Sequence, residues 1–213
     1  MIVSKPWMNS VLVAGFIVTA LAGPVRVSAQ DSRSNTRGLV LSAGFSGVSL
    51  EVETGDAQTG SGGHLLAGYA PSRLVSIFLR GDVARVDIDV ADIDGSYNLI
   101  FADLGIRFSI GSGQHTFVPY LVAAFTGQSA KASIPVTPLL KSDVSINGAG
   151  FTLGGGFDVF FTRTLALDLG VLLTSGRFSE VSVGSLSSNI DSLDSRAARV
   201  TLGLSWFPVI PRN

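Results

Sequence analysis

Between Ala198 and Trp206 the chain alternates: Ala198, Val200, Leu202, Leu204 and Trp206 are apolar, and the residues between them, Arg199, Thr201, Gly203 and Ser205, are polar or small. Successive side chains of a strand point to opposite faces, so the stretch predicts a strand with one apolar and one polar face. The pattern recurs up the chain. Leu39, Leu41, Ala43 and Phe45 alternate with Val40, Ser42, Gly44 and Ser46, and Leu65, Ala67 and Tyr69 with His64, Leu66 and Gly68. Val75, Ile77, Leu79, Gly81 and Val83 oppose Ser76, Phe78, Arg80, Asp82 and Ala84. Ile100, Ala102, Leu104, Ile106, Phe108 and Ile110 oppose Phe101, Asp103, Gly105, Arg107 and Ser109. Phe151, Leu153, Gly155, Phe157, Val159 and Phe161 oppose Thr152, Gly154, Gly156, Asp158 and Phe160, and Leu165, Leu167, Leu169, Val171 and Leu173 oppose Ala166, Asp168, Gly170, Leu172 and Thr174. At 116–127 both faces are apolar. Pro119, Leu121, Ala123 and Phe125 are assigned outward and Tyr120, Val122, Ala124 and Thr126 inward, and the opposite phase fits nearly as well.

These stretches predict strands of about 9 to 14 residues, longer than the ~5 to 6 of a typical globular strand and long enough for a tilted strand to cross lipid. The connections at 71–74, 111–115 and 162–164 are short. Those at 47–62, 85–96, 128–148 and 175–196 predict long polar loops. Short turns at one end and long loops at the other are what membrane barrels show.

The polar face carries Arg80, Asp82, Asp103, Arg107, Asp158, Asp168 and Arg199. An Arg placed near mid-bilayer costs roughly 2–4 kcal/mol, and Asp less. All seven share the face with the small residues, so that face is predicted to line the lumen and the apolar face to meet lipid. A dry lumen requires the charges to pair. Height along neighbouring strands predicts an Arg80–Asp103 pair, and Asp158 facing Asp168 with Arg107 or Arg199 between them. Such charges suit either a narrow ion or proton path or a pinned, plugged lumen. Near balance of charge and a bore of only eight strands favour the plug. Tyr69, Phe108, Phe117, Phe161 and Trp206 fall at the turn end, as an interfacial girdle would.

The end of the chain resembles the closing strand of bacterial outer-membrane β-barrels, with Trp206 as the aromatic and Leu204, Leu202 and Val200 behind it, although Phe207 and Pro-Val-Ile-Pro-Arg-Asn follow. Together with Gly105-Ile106-Arg107-Phe108, Gly154-Gly155-Gly156-Phe157-Asp158 and Ser175-Gly176-Arg177-Phe178, the ordered strands are similar to the eight-stranded families related to the barrel domain of outer membrane protein A. The resemblance implies an all-β fold, an eight-stranded antiparallel up-and-down transmembrane β-barrel in the bacterial outer membrane. It implies contact with outer-membrane lipid, with the barrel-assembly machinery during insertion, and with an extracellular partner through the long loops. The role it implies is structural, adhesive or surface-recognition, without catalysis.

Residues 1–29 read as a cleaved secretory signal: Lys5, an apolar run Val11 to Leu21, and Val27-Ser28-Ala29 before Gln30. Residues 30–37 read as a flexible lead-in, 38–207 as the barrel and 208–213 as a tail. The 213 residues hold no cysteine, 15% charged residues and a formal net charge of -1. That excludes a disulfide scaffold and cysteine-ligated zinc, and gives no basic stripe for nucleic acid.

An outer-membrane lipid-modifying enzyme is the first rival. Nucleophilic catalysis needs a hydroxyl beside an oriented base. Only His64 and His115 are available; His115 lies in a short turn, and Leu65 and Leu66 follow His64 where a His-x-Ser motif would stand. The sequence therefore predicts no catalytic, cofactor-binding or metal-binding residues. The run Thr59-Gly60-Ser61-Gly62-Gly63 lacks the following Lys and helix of a phosphate loop. The second rival, a soluble lipocalin-like binder of apolar ligands, needs the two faces reversed.

Overall fold

The computed structural model describes residues 34–52, 57–90, 93–111, 115–137, 140–183 and 186–208. The segment read as a signal, 1–29, and most of the tail lie outside them. Eight antiparallel strands form one closed barrel: β1 (Gly38–Val52), β2 (Gln58–Ala70), β3 (Val75–Val90), β4 (Ile93–Ser109), β5 (Phe117–Thr137), β6 (Leu140–Phe160), β7 (Leu165–Val183) and β8 (Leu186–Trp206). Each strand pairs with its sequence neighbours, and β1 closes on β8 from Leu41↔Trp206 to Val52↔Ser195. Closure leaves no unpaired edge, which lipid would not tolerate.

Facing follows the alternation. Arg80, Asp82, Asp103, Arg107, Asp158, Asp168 and Arg199 are all buried inside. Leu65, Leu79, Leu104, Leu121, Phe125, Leu153, Leu173, Leu202 and Leu204 are exposed outside. β5 takes the assigned phase, with Tyr120, Val122, Ala124 and Thr126 buried. The aromatics of the expected girdle point outward, Phe108 at 39% and Tyr69 at 58% exposure marking the range.

The long loops are where the structure departs from the sequence reading. The segments 47–62, 85–96, 128–148 and 175–196 are mostly strand: β3 and β4 stay paired up to Val90↔Ile93, and β7 and β8 up to Val183↔Leu186. The reason is a change of solvent along each strand. Above Phe45, Val83, Ile100, Phe125 and Leu173 the outward positions turn polar, as at Ser49, Arg85, Asn98, Ser129 and Arg177. At the same height the inward positions turn apolar. Val48, Leu50, Ala84, Val86, Leu99, Phe101 and Ala197 form one buried cluster there. Below the switch the barrel is polar inside and apolar outside; above it the order reverses, as in a water-soluble barrel. The apolar phase slips by one residue while the strand runs on, so a period-2 reading sees an end where there is none. The outward apolar run from Ile100 along β4 to Ile110 just past its end covers about 34 Å of chain at ~3.4 Å per residue, which tilted by ~40° rises about 26 Å and matches the roughly 25 Å apolar band of membrane barrels.

The turn end is closed. A second buried cluster, Val40, Ala70, Val118, Phe160, Ala166 and Phe207, fills the bore there, with the Phe160 and Phe207 ring centroids 5.3 Å apart. Phe207 therefore turns in, where Trp206 before it points out. Of the lead-in, residues 34–36 cross beneath this cluster: Asn35 N–H donates to Arg163 O at 2.9 Å and the Thr36 hydroxyl to Arg73 O at 2.8 Å. Those carbonyls belong to the β6–β7 and β2–β3 turns, on opposite sides of the ring, so this strap spans the mouth. It enters β1 at Gly38, whose φ of 101° is a left-handed value that favours glycine.

Candidate functional site

The chemistry-bearing side chains converge in the bore, in two ionic layers separated by apolar ones. In the outer layer Arg80 makes a bidentate pair with Asp82, Nε to Oδ2 at 2.8 Å and Nη2 to Oδ1 at 2.9 Å. Arg199 reaches from β8 across the bore. Its Nη1 lies 3.0 Å from Asp82 Oδ2 and 2.8 Å from Asp103 Oδ2. Its Nη2 donates to Asp103 Oδ1 at 3.1 Å and to the Thr152 and Thr174 hydroxyls at 3.2 Å each. Thr126 donates to Asp103 at 2.7 Å, and the Arg199 guanidinium sits 4.4 Å from the Phe101 ring centroid. Two guanidiniums thus meet two carboxylates in geometry that satisfies most of their hydrogen-bonding capacity.

In the inner layer Asp158 and Asp168 hold directly opposed positions on β6 and β7. Arg107 lies between them, Nη1 on Asp168 Oδ2 at 3.1 Å and Nη2 on Asp158 Oδ2. The Tyr120 hydroxyl donates to Asp168 Oδ1 at 3.1 Å, and its ring lies under the Arg107 guanidinium, 3.6 Å from CZ to centroid. This layer holds one more carboxylate than guanidinium. Between the layers lies a third apolar cluster, Phe78, Tyr120, Val122, Ala124 and Leu172. The inward aromatics and Leu172 are therefore the filling between and beyond the charges.

Arg107 takes the bridging place expected for it or for Arg199. The Arg80–Asp103 pair does not form, although the two residues are directly opposed on β3 and β4. Arg80 turns along its own strand to Asp82, and Asp103 is taken by Arg199 from the far wall. Strand register predicts neighbours on the wall. In a bore this narrow an arginine also spans the diameter, and nothing in the local sequence carries that signal.

His64 lies mid-strand, because β2 begins at Gln58, earlier than the sequence suggested. It is 4% exposed, inside the bore, and its Nδ1 has no hydrogen-bond partner. Gly44 and Gly203 make room for its ring: a Cβ on Gly44 would come within 2.9 Å of His64 Cε1, and one on Gly203 within 3.1 Å of Nε2. His115 is exposed at the β4–β5 turn. No group of three or more metal-ligating side chains occurs among the described residues.

A family model described as an outer membrane protein beta-barrel domain matches residues 12–206. The chain belongs to this family. It is a β-barrel of the bacterial outer membrane. Similar solved structures include Neisserial surface protein A, at 16% identity over 79% of this chain and 96% of that one with a TM-score of 0.56. OprG of Pseudomonas aeruginosa is 12% identical over 83% and 98%, also at 0.56. Ail, the attachment invasion locus protein of Yersinia pestis, is 13% identical over 80% and 99%, at 0.50. At these identities the likeness is one of fold. No curated protein sequence matches the chain. Membership removes the lipocalin-like alternative, whose interior would be apolar at the height where this bore is charged.

Proposed function

We propose that this outer-membrane barrel is a non-catalytic surface protein whose lumen is plugged by its own ion pairs and whose outer hairpins serve a structural, adhesive or recognition role. The filled bore carries the reading. Within the lumen beside Arg80, Asp103, Arg107 and Asp168 the free cavity is about 20 Å³, room for roughly one water. Arg199, Phe101, Phe160 and Phe207 are each fully buried in the bore, Arg199 stacked on Phe101 and Phe160 on Phe207, which supports a plug. The paired hairpins above the membrane band present polar side chains outward, including the exposed Arg177–Asp194 pair at 2.6 Å, and their apolar filling makes them a rigid crown. Partner contact belongs to this crown more than to loops. Residues 1–29 serve as the export signal, and the barrel-assembly machinery inserts the chain.

Planar-bilayer recording of the folded protein tests the plug. The reading predicts no steps above baseline; a stable conductance that shifts on Arg80→Gln would replace it with the pore. The lipid-enzyme rival fares worse, since His64 is enclosed in the bore, away from any lipid ester. It would require His64→Ala to abolish a change in lipid A mass in whole cells. For the crown, cells displaying an Arg177→Ser/Lys131→Ser/Glu180→Ser variant should lose autoaggregation or surface adhesion while keeping heat-modifiable barrel in the outer membrane.

A further inference from the structure

We propose that the outer wall of β8, β1, β2 and β3 holds one anionic phospholipid of the periplasmic leaflet, with an acyl chain in an apolar groove and the phosphate on Arg37 and Arg73. The groove has a volume of about 580 Å³. Its floor is where outward side chains are smallest, Ala43, Ala67 and Gly81, and Leu41, Leu204 and Trp206 rise beside it. A Cβ built on Gly81 meets nothing within 4 Å, so the space above it is open. The groove lies within the apolar band, where only a lipid chain or another membrane protein can fill it.

The head-group end supplies the second observation. Arg37 directly precedes β1 and Arg73 sits in the β2–β3 turn; both are exposed. The Thr36 hydroxyl bonds Arg73 O at 2.8 Å and so fixes the two chain segments side by side. Arg37 lies four residues before Leu41, about 14 Å at ~3.4 Å per residue, the separation between a phosphate and the upper part of its acyl chain. A third cation among the described turn-end residues, Arg163, is exposed on the β6–β7 turn. No Asp or Glu stands in the described turn-end segments 34–37, 71–74, 110–111, 115–116, 161–164 or 207–208. Two guanidiniums with no carboxylate among the described residues of that end select phosphate, which their planar fork binds bidentately, and the net negative charge of phosphatidylglycerol over a zwitterionic head group. A second copy of the chain fits less well. A two-fold contact through this wall would bring Arg37 and Arg73 of both copies together with no counter-charge among the described turn-end residues.

Native mass spectrometry from micelles holding equal phosphatidylglycerol and phosphatidylcholine tests the site. One phosphatidylglycerol should stay bound. Arg37→Gln/Arg73→Gln should weaken its retention roughly thirtyfold and leave phosphatidylcholine unchanged. Gly81→Leu, or Ala43→Leu if the former folds poorly, should weaken retention by filling the floor, and Gly127→Leu on the opposite wall should not. A boiling-dependent gel shift shows that each variant is folded. Equal retention of both lipids by the unaltered protein overturns the proposal. So does phosphatidylglycerol binding that ignores both floor-filling variants, which would be charge attraction alone. A dimer that Gly81→Leu abolishes would give the groove to a second copy and likewise overturn it.

Discussion

Asp158 and Asp168 face one another across the β6–β7 pair, and the guanidinium of Arg107 is the group that lets them do so. Like charges directly opposed on a sheet repel, and here they are also buried. Removing the cation leaves two uncompensated carboxylates. Arg107→Met should therefore lower stability by about 3–5 kcal/mol, read as a shift of the urea midpoint in phospholipid vesicles. A midpoint unchanged within error would mean that the pair is held by something other than Arg107.

The same layer has a surplus carboxylate, and Asp158 Oδ1 has no hydrogen-bond partner. Asp158→Asn keeps the shape and relieves the repulsion. It should leave the midpoint unchanged or raise stability by up to about 1 kcal/mol. A loss comparable to that of Arg107→Met would contradict the assignment of surplus charge to this layer.

The two arginines of the outer layer are not equivalent. Arg199 touches Asp82, Asp103, Thr152 and Thr174, whereas Arg80 touches Asp82, which Arg199 also holds. Arg199→Met should cost about 3–5 kcal/mol, and Arg80→Met clearly less, because no carboxylate is left alone. Paired unfolding curves for the two variants check the order, and equal losses would show that Arg199 does not span the bore in the bilayer.

The faces above and below the solvent switch should respond oppositely to the same change. Leu104→Arg, in the outward apolar band, should cost roughly 2–4 kcal/mol in lipid, and Ser129→Arg, above it, close to nothing. Leu99→Ala, inside the crown cluster, should cost about 2–5 kcal/mol as a core cavity, whereas Leu104→Ala, where lipid closes over the gap, should cost far less.

Alternation made the strands, the facing of every lumen charge and the opposition of Asp158 and Asp168 legible in the sequence, with Arg107 as one of two candidate bridges, because each depends on residue parity and on height above a short turn. The outer halves of the strands were not legible. Val48 and Leu50 continue β1 as regularly as Leu39 and Leu41 begin it, but on the other face, and a search for one apolar face stops between them. The reach of Arg199 to Asp103 was hidden for a different reason: it joins strands on opposite walls, with no sequence proximity. The strap had no signal at all, since Asn35 and Thr36 make their bonds to turn carbonyls through ordinary polar groups.

The solvent switch also fixes how deep the barrel sits. Sliding along the membrane normal by two residues of strand, roughly 5 Å once tilt is counted, would draw Arg85, Asn98 and Arg177 into hydrocarbon, or lift Phe45, Phe125 and Leu173 into water. Both displacements are opposed around the whole circumference at once. The barrel is therefore graduated like a float, with its waterline written on its strands, and the crown stands at a set height above the cell surface whatever it meets there.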